Sequence, residues 1–150
     1  MTFVTDGYEV TVRTTRDRAE IEAARDLRIK VFSGEQGVDP ELEDDGKDEK
    51  STQVIALDES GIVATCRLRY PEPGECKLER MVVAKRLRRL GVGANLLACS
   101  EEEARRAGVR TMVLNAQRRA EAFYAANGYV AEGETFLDAG IEHVRMTKAL

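Results

Sequence analysis

The sequence is poor in the residues that staple small proteins together or bind metal ions. Three cysteines, Cys66, Cys76 and Cys99, form an odd set without a C-x-x-C pair. Histidine occurs once, as His143, at no ligand-like spacing from any of them. Neither a disulfide framework nor a metal site is expected. Cys66 lies in a strand-like run and Cys99 in a helical one, so both read as buried free thiols. Long apolar stretches are also missing, and none approaches the roughly 20 residues that cross a bilayer. The opening "MTFVTDGYEV" lacks the basic start and apolar run of a secretory leader. Nor is positive charge in excess: a net charge of −4 argues against a general nucleic-acid binder. Only local basic clusters such as "KRLRRLG" remain. Together these absences predict a cytoplasmic protein with no metal, no membrane and no nucleic acid as partner.

What is present suits one α/β (α+β-like) domain over residues 1–150. The chain has 150 residues, 43% hydrophobic and 33% charged, enough for a single core. "YEVTVRT" alternates like a half-buried strand. Asp17 with Glu20 three residues on predicts a capping-box variant, and Ile21, Ala24, Leu27 and Val31 then share a helix face that ends near "SGEQG". The acidic stretch 35–49 reads as a loop, with a short helical turn after Pro40. "TQVIALD" and "GIVATCRLRY" are strands joined by "ESG", and "CKLERMVVA" is a third. A helix over 91–107 has Val92, Leu96 and Cys99 in one stripe, Leu97 and Ala104 beside it, and Gly108 as its stop. "VRTMVLN" follows as a strand, so strand, helix and strand form one parallel crossover. "RRAEAFYAANG" predicts another helix, and "YVAEGE" and "EHVRMTK" the last strands.

The strand–loop–helix "MVVAKRLRRLGVGANLL" predicts an anion site. Backbone N–H groups at a helix entrance, with glycine where a Cβ would obstruct, hold anions well. A P-loop needs Lys and Ser or Thr after its last glycine, and Ala94 and Asn95 stand there. In G-x-G-x-x-G the third glycine place falls on Leu96, and a dinucleotide unit normally opens its fold. Both nucleotide readings weaken.

The remaining pattern, Arg88-x-x-Gly91-x-Gly93, resembles the pyrophosphate loop of the GNAT-superfamily N-acetyltransferases. "KLERMVVAKRLRRLGVG", "LNAQRRAEAFYAANGY" and "FLDAGIEHVRMTK" fall in that family's order. With "RIKVFSGEQGVDPELE" they resemble the small bacterial ElaA-like or YjcF-like branch. The resemblance implies a mixed, mostly antiparallel central sheet, splayed at an acetyl-CoA site and flanked by helices. It implies acetyl transfer to a primary amine, on a small molecule or peptide, by direct attack. Arg88, Arg89, Leu90, Gly91, Val92, Gly93 and Ala94 would hold the pyrophosphate. Met81, Val82 and Val83 would offer main-chain groups to the pantetheine arm, one N–H serving as oxyanion donor. Asn115 and Gln117 would touch that arm from the next strand, although relatives carry asparagine at the place of Gln117, and Asn115 also suits a structural hydrogen bond.

Tyr124 matches the family's tyrosine placed beside the departing thiolate. A phenol, at about 10, is a weaker acid than a thiol, at about 8.5, so hydrogen-bond donation suits it as well as proton transfer. Glu79 is the candidate general base, on the face of Lys77 and Met81 unless a bulge intervenes; pairing with Arg80 or another arginine is its alternative. His143 is either structural or part of the acceptor pocket, and Glu35 and Gln36 are weaker acceptor-side candidates. The acidic residues Glu41, Glu43, Asp44, Asp45, Asp48 and Glu49 would draw a cationic acceptor such as a polyamine, aminoglycoside or lysine-rich peptide, or simply form a solvated loop. A homodimer stays open, and a non-catalytic coenzyme A sensor is the alternative function.

Overall fold

The computed structural model describes residues 1–39 and 45–150. The helical turn expected after Pro40, and Glu41, Glu43 and Asp44, lie outside the described residues. The chain opens with β1 (Thr2–Thr5), which the sequence reading did not anticipate, and β2 (Tyr8–Thr15). Asp6 and Gly7, both at positive φ, turn one strand into the other.

Helix α1 (Arg18–Ile29) begins as expected: the Asp17 carboxylate accepts the Glu20 N–H at 2.9 Å. The reciprocal half of the box is absent, because Glu20 turns to Arg13 (2.6 and 3.0 Å) and the Thr15 hydroxyl (2.5 Å) instead. The helix ends within "SGEQG", as expected, but not as a regular α-helix. It widens into a π-helical segment, Lys30–Glu35, whose last turn is closed by Gln36 N–H bonding Val31 O at 3.1 Å.

After a 3₁₀ turn at Asp48–Lys50 come β3 (Thr52–Asp58), β4 (Gly61–Arg69) and β5 (Glu75–Val83), an antiparallel meander. Helix α2 (Val92–Arg106) leads to β6 (Thr111–Gln117), which pairs with β5 in parallel. The helix expected over 118–128 divides into a 3₁₀ turn, Arg118–Ala120, and a short α3 (Glu121–Ala126). β7 (Val130–Asp138) and β8 (Ile141–Ala149) complete a sheet of order β1-β2-β3-β4-β5-β6-β8-β7, mostly antiparallel as the resemblance implied.

Alternation along β4 separates the two faces of this sheet. Cys66 points to α2, where its sulfur lies 3.2 Å from the Ser100 hydroxyl. Its neighbour Arg67 points the other way, to Asp45 and Asp48, and Asp48 is gripped in turn by Arg28 of α1 at 2.6 and 2.9 Å. The α2 face is the apolar core, built on Leu68, Leu78, Leu96, Leu97 and Met112, each contributing about 1.5–3 kcal/mol through burial. Cys99 is a correction: it sits half-exposed on α2 rather than buried.

Candidate active site

The parallel ladder between β5 and β6 is short. It runs from Glu75↔Thr111 to Lys77↔Val113 and stops. β6 continues beside β8 as far as Gln117↔His143, and β5 continues beside β4 to Ala64↔Val83. The strands therefore part, and a cavity of about 800 Å³ opens between them, walled also by the π segment and the β7–β8 turn. A bulge drives the parting. Thr65↔Val82 and Arg67↔Glu79 leave Arg80 and Met81 opposite Cys66 alone, with Arg80 at φ +59°. The bulge also breaks the alternation expected of Glu79 and Met81. Glu79 stays with Arg67, whereas Met81 turns to Tyr124.

The loop after β5 is a 3₁₀ turn, Lys85–Leu87, followed by Arg88, Arg89 at φ +65° and Gly91 at φ +84° as the N-cap of α2. Glycine accepts this left-handed backbone without strain. No side chain caps the helix, and no acidic residue sits in its first turn. Its leading N–H groups, at Val92, Gly93 and Ala94, are the ones a helix cannot satisfy internally. A Cβ on Gly93 would lie 3.3 Å from Phe123 Cζ, so glycine here also lets α3 pack close to the helix start. Val92 is buried, and the Leu90 carbonyl accepts the Thr5 hydroxyl at 2.7 Å, which ties the loop to β1.

Arg88 is turned across the cleft rather than outward. Its guanidinium donates to both Glu35 oxygens, at 2.8 and 3.0 Å, and its Nε to Val83 O at 2.9 Å. The Arg88 hydrogen bonds hold the Glu35 carboxyl below its ordinary range. One residue on, Gln36 Oε1 accepts from Gln117 Nε2 at 2.8 Å, and Gln117 Oε1 accepts from Arg119 at 2.9 Å. The π segment is thus tied to both strands that part, and Asn115 lines the cavity between these ties.

Tyr124 is 8% exposed and its hydroxyl donates to Met81 Sδ at 3.6 Å. Burial pushes its pKa well up, so the phenol keeps its proton and acts as a donor. Glu79 lies at the opposite wall, bound by Arg69 and within 3.4 Å of Arg67 and 3.6 Å of Lys77. Burial raises its pKa, but Arg69, Arg67 and Lys77 outweigh burial and the net shift is downward. A carboxylate so held is a weaker base than a free one, and these contacts are the ion pairing expected as the alternative for Glu79. His143 lines the cavity as well.

These features coincide with a known domain. The acetyltransferase (GNAT) domain profile matches residues 18–150. The chain belongs to the GNAT acetyltransferase family. It is similar to the uncharacterized N-acetyltransferase YjcF of Bacillus subtilis, 36% identical over 134 residues that cover 89% of this chain and 95% of that one. Its fold is similar to an acyl-CoA N-acyltransferase of Pseudomonas aeruginosa, with TM-score 0.82, 28% identity and coverage of 95% and 99% of the two chains. Escherichia coli ElaA shares the fold at TM-score 0.80 and 22% identity, over 94% of this chain and 98% of that one. This GNAT protein is an acyltransferase of a family that uses acetyl-CoA.

Several walls of the GNAT cleft escaped the sequence reading. Phe32 reaches it from the π segment and Val38 from just beyond it, Arg119 from the turn after β6, and Asp138 and Ile141 from either side of the β7–β8 turn. A helix that widens by one residue leaves no periodic trace, so nothing in "KVFSGE" announced them. Among the described residues no group of three His, Cys, Asp or Glu side chains is placed to hold a metal ion, and no helix is long and apolar enough to cross a membrane.

Proposed function

We propose that this enzyme transfers the acetyl group of acetyl-CoA to a primary amine by direct attack, without a covalent enzyme intermediate. The observation that carries this reading is that Arg88 and Arg89, immediately before the uncapped start of α2, line the same cleft as Tyr124. Acetyl-CoA supplies an activated thioester there.

The N–H groups from Arg89 to Ala94 bind the pyrophosphate, with the Arg89 side chain adding charge. Arg88, already engaged by Glu35, shapes the loop more than it neutralises the anion. Main-chain groups of Met81, Val82 and Val83 hold the pantetheine arm along the unpaired edge of β5, as a strand would. Asn115 and Gln117 meet it from β6. An N–H of the bulged β5 segment serves as oxyanion donor, and Tyr124 donates a hydrogen bond to the departing sulfur. The free thiols of Cys66, Cys76 and Cys99 suit a reducing, cytoplasmic setting.

Calorimetric titration with acetyl-CoA, with NAD and ATP as controls, tests the cofactor half. Thiol release with a panel of alkyl amines, amino sugars and lysine peptides tests the transfer. Acetyl-CoA binding alone followed by amine-dependent thiol release is the expected result. Binding without release from any amine would favour the sensor alternative, and no binding by folded protein would remove both.

A further inference from the structure

We infer that His143 is the base that takes the proton from the acceptor ammonium, a role that rests on the transferase reading above. Three observations combine. His143 is the only histidine of the chain, is 9% exposed, and lines the cleft from β8, opposite Gln117 where β6 leaves β5. Its ring is fixed: Nδ1 lies 2.7 Å from Ile141 O, and Phe136 stacks on it with centroids 6.0 Å apart and an interplanar angle of 25°.

The third observation is chemical. A carbonyl oxygen can only accept, so Nδ1 carries the hydrogen in this bond. In the neutral ring the lone pair is then on Nε2, the tautomer a base needs. The other charged groups on the cleft are Glu35 and Glu79, Lys77 and Arg80 of β5, Arg88 and Arg89 of the loop before α2, Arg119 after β6, and Asp138 on the β7–β8 turn. Glu35 and Glu79 are engaged by arginines, and the cations cannot accept a proton. Asp138 is the remaining carboxylate, and it is exposed.

The protons balance simply. One leaves the ammonium for Nε2 and passes on to water. The amine lone pair forms the N–C bond while the C–S bond breaks. The second proton, released as the amide forms, ends on the sulfur as coenzyme A thiol.

The first test needs no substrate. With a single histidine, ¹⁵N NMR of the imidazole is unambiguous; at about pH 8.5, where histidine is ordinarily neutral, it should show Nδ1 protonated and Nε2 bare. The reverse tautomer overturns the inference. The second uses His143→Asn, whose amide can still donate to Ile141 O but offers no base. With acetyl-CoA and phenethylamine, an ammonium at neutral pH, thiol release should fall about 10²-fold or more. With aniline, already a free amine, it should fall little, and acetyl-CoA affinity should stay unchanged. Asp138→Asn should behave as wild type. Equal loss with both amines would mark His143 as structural, and full activity with phenethylamine would remove it from catalysis. If wild-type protein binds acetyl-CoA but releases no thiol with either amine, the transferase reading fails and this role with it; a failure confined to the variant is a failure of His143 alone.

Discussion

Arg88 and Glu35, 53 residues apart in the chain, face each other through two parallel N–H···O bonds of 2.8 and 3.0 Å. This fork joins the anion loop to the π segment that walls the other side of the cleft. Both side chains are about one-third exposed, at 37% and 35%, so the pair contributes only about 0.2–1 kcal/mol to stability. Its importance is geometric. A lysine has no planar fork and cannot hold the carboxylate and Val83 O together. Arg88→Lys should therefore weaken acetyl-CoA binding several-fold in calorimetry while barely moving the unfolding midpoint. Unchanged affinity would show that the fork does not shape the loop.

The two glycines of the loop should fail differently. Alanine at Gly91 must adopt φ +84°, at a cost of about 1–2 kcal/mol, and should lower both stability and acetyl-CoA affinity. Alanine at Gly93 has an ordinary backbone but presses on Phe123. Its defect should be relieved by Phe123→Leu, whereas that of Gly91→Ala should not. Thermal melts of the two single variants and two doubles decide this.

Tyr124→Phe removes a hydroxyl whose one contact among the described residues is the Met81 sulfur. Folding and acetyl-CoA binding should survive nearly intact, and turnover should fall about tenfold or more. Because burial raises the Tyr124 pKa, the phenol remains protonated as pH rises past 10. No alkaline loss of turnover should then trace to this residue, and comparison of wild-type and Tyr124→Phe profiles checks it.

Acid should loosen the 45–50 segment from the sheet. Hydrogen bonds from Arg67 lower the Asp45 pKa; at Asp48 burial raises it but Arg28 and Arg67 outweigh burial. Both folded-state values lie below the unfolded value of about 3.9. Their contribution is complete above that value and is lost as pH falls through it toward the folded values. Urea unfolding should show stability falling on acidification below about pH 4, with a flatter fall in Asp45→Asn. Arg67, wholly buried, is the cation that Asp45, Asp48 and Glu79 share, so Arg67→Ala, which breaks this buried network, should cost about 3 kcal/mol at neutral pH.

Short-range physics made much of the molecule legible. Asp17 capping α1, the "ESG" hairpin between β3 and β4, and Gly91 at positive φ each depend on a few adjacent residues. The same holds for the order of blocks that marks the GNAT family. Of the residues singled out from the sequence, the consecutive Met81, Val82 and Val83, the pair Arg88 and Arg89, and Tyr124 line the cleft.

The sequence by itself determined the family, the meander, the parallel crossover and the glycine-bearing loop before α2, because periodicity and turn chemistry act between neighbours. Only the tertiary structure decided the π widening of α1, the bulge at Arg80 and the partners of Glu79, Arg88 and His143. Those depend on which strands lie side by side and on which charges meet after the chain has folded. The ion pairs of Glu79 arise for that reason: Arg69 and Arg67 come from a strand that reaches it only through the sheet. His143 gained its stacking partner in the same way, through Phe136, which lies opposite it on β7.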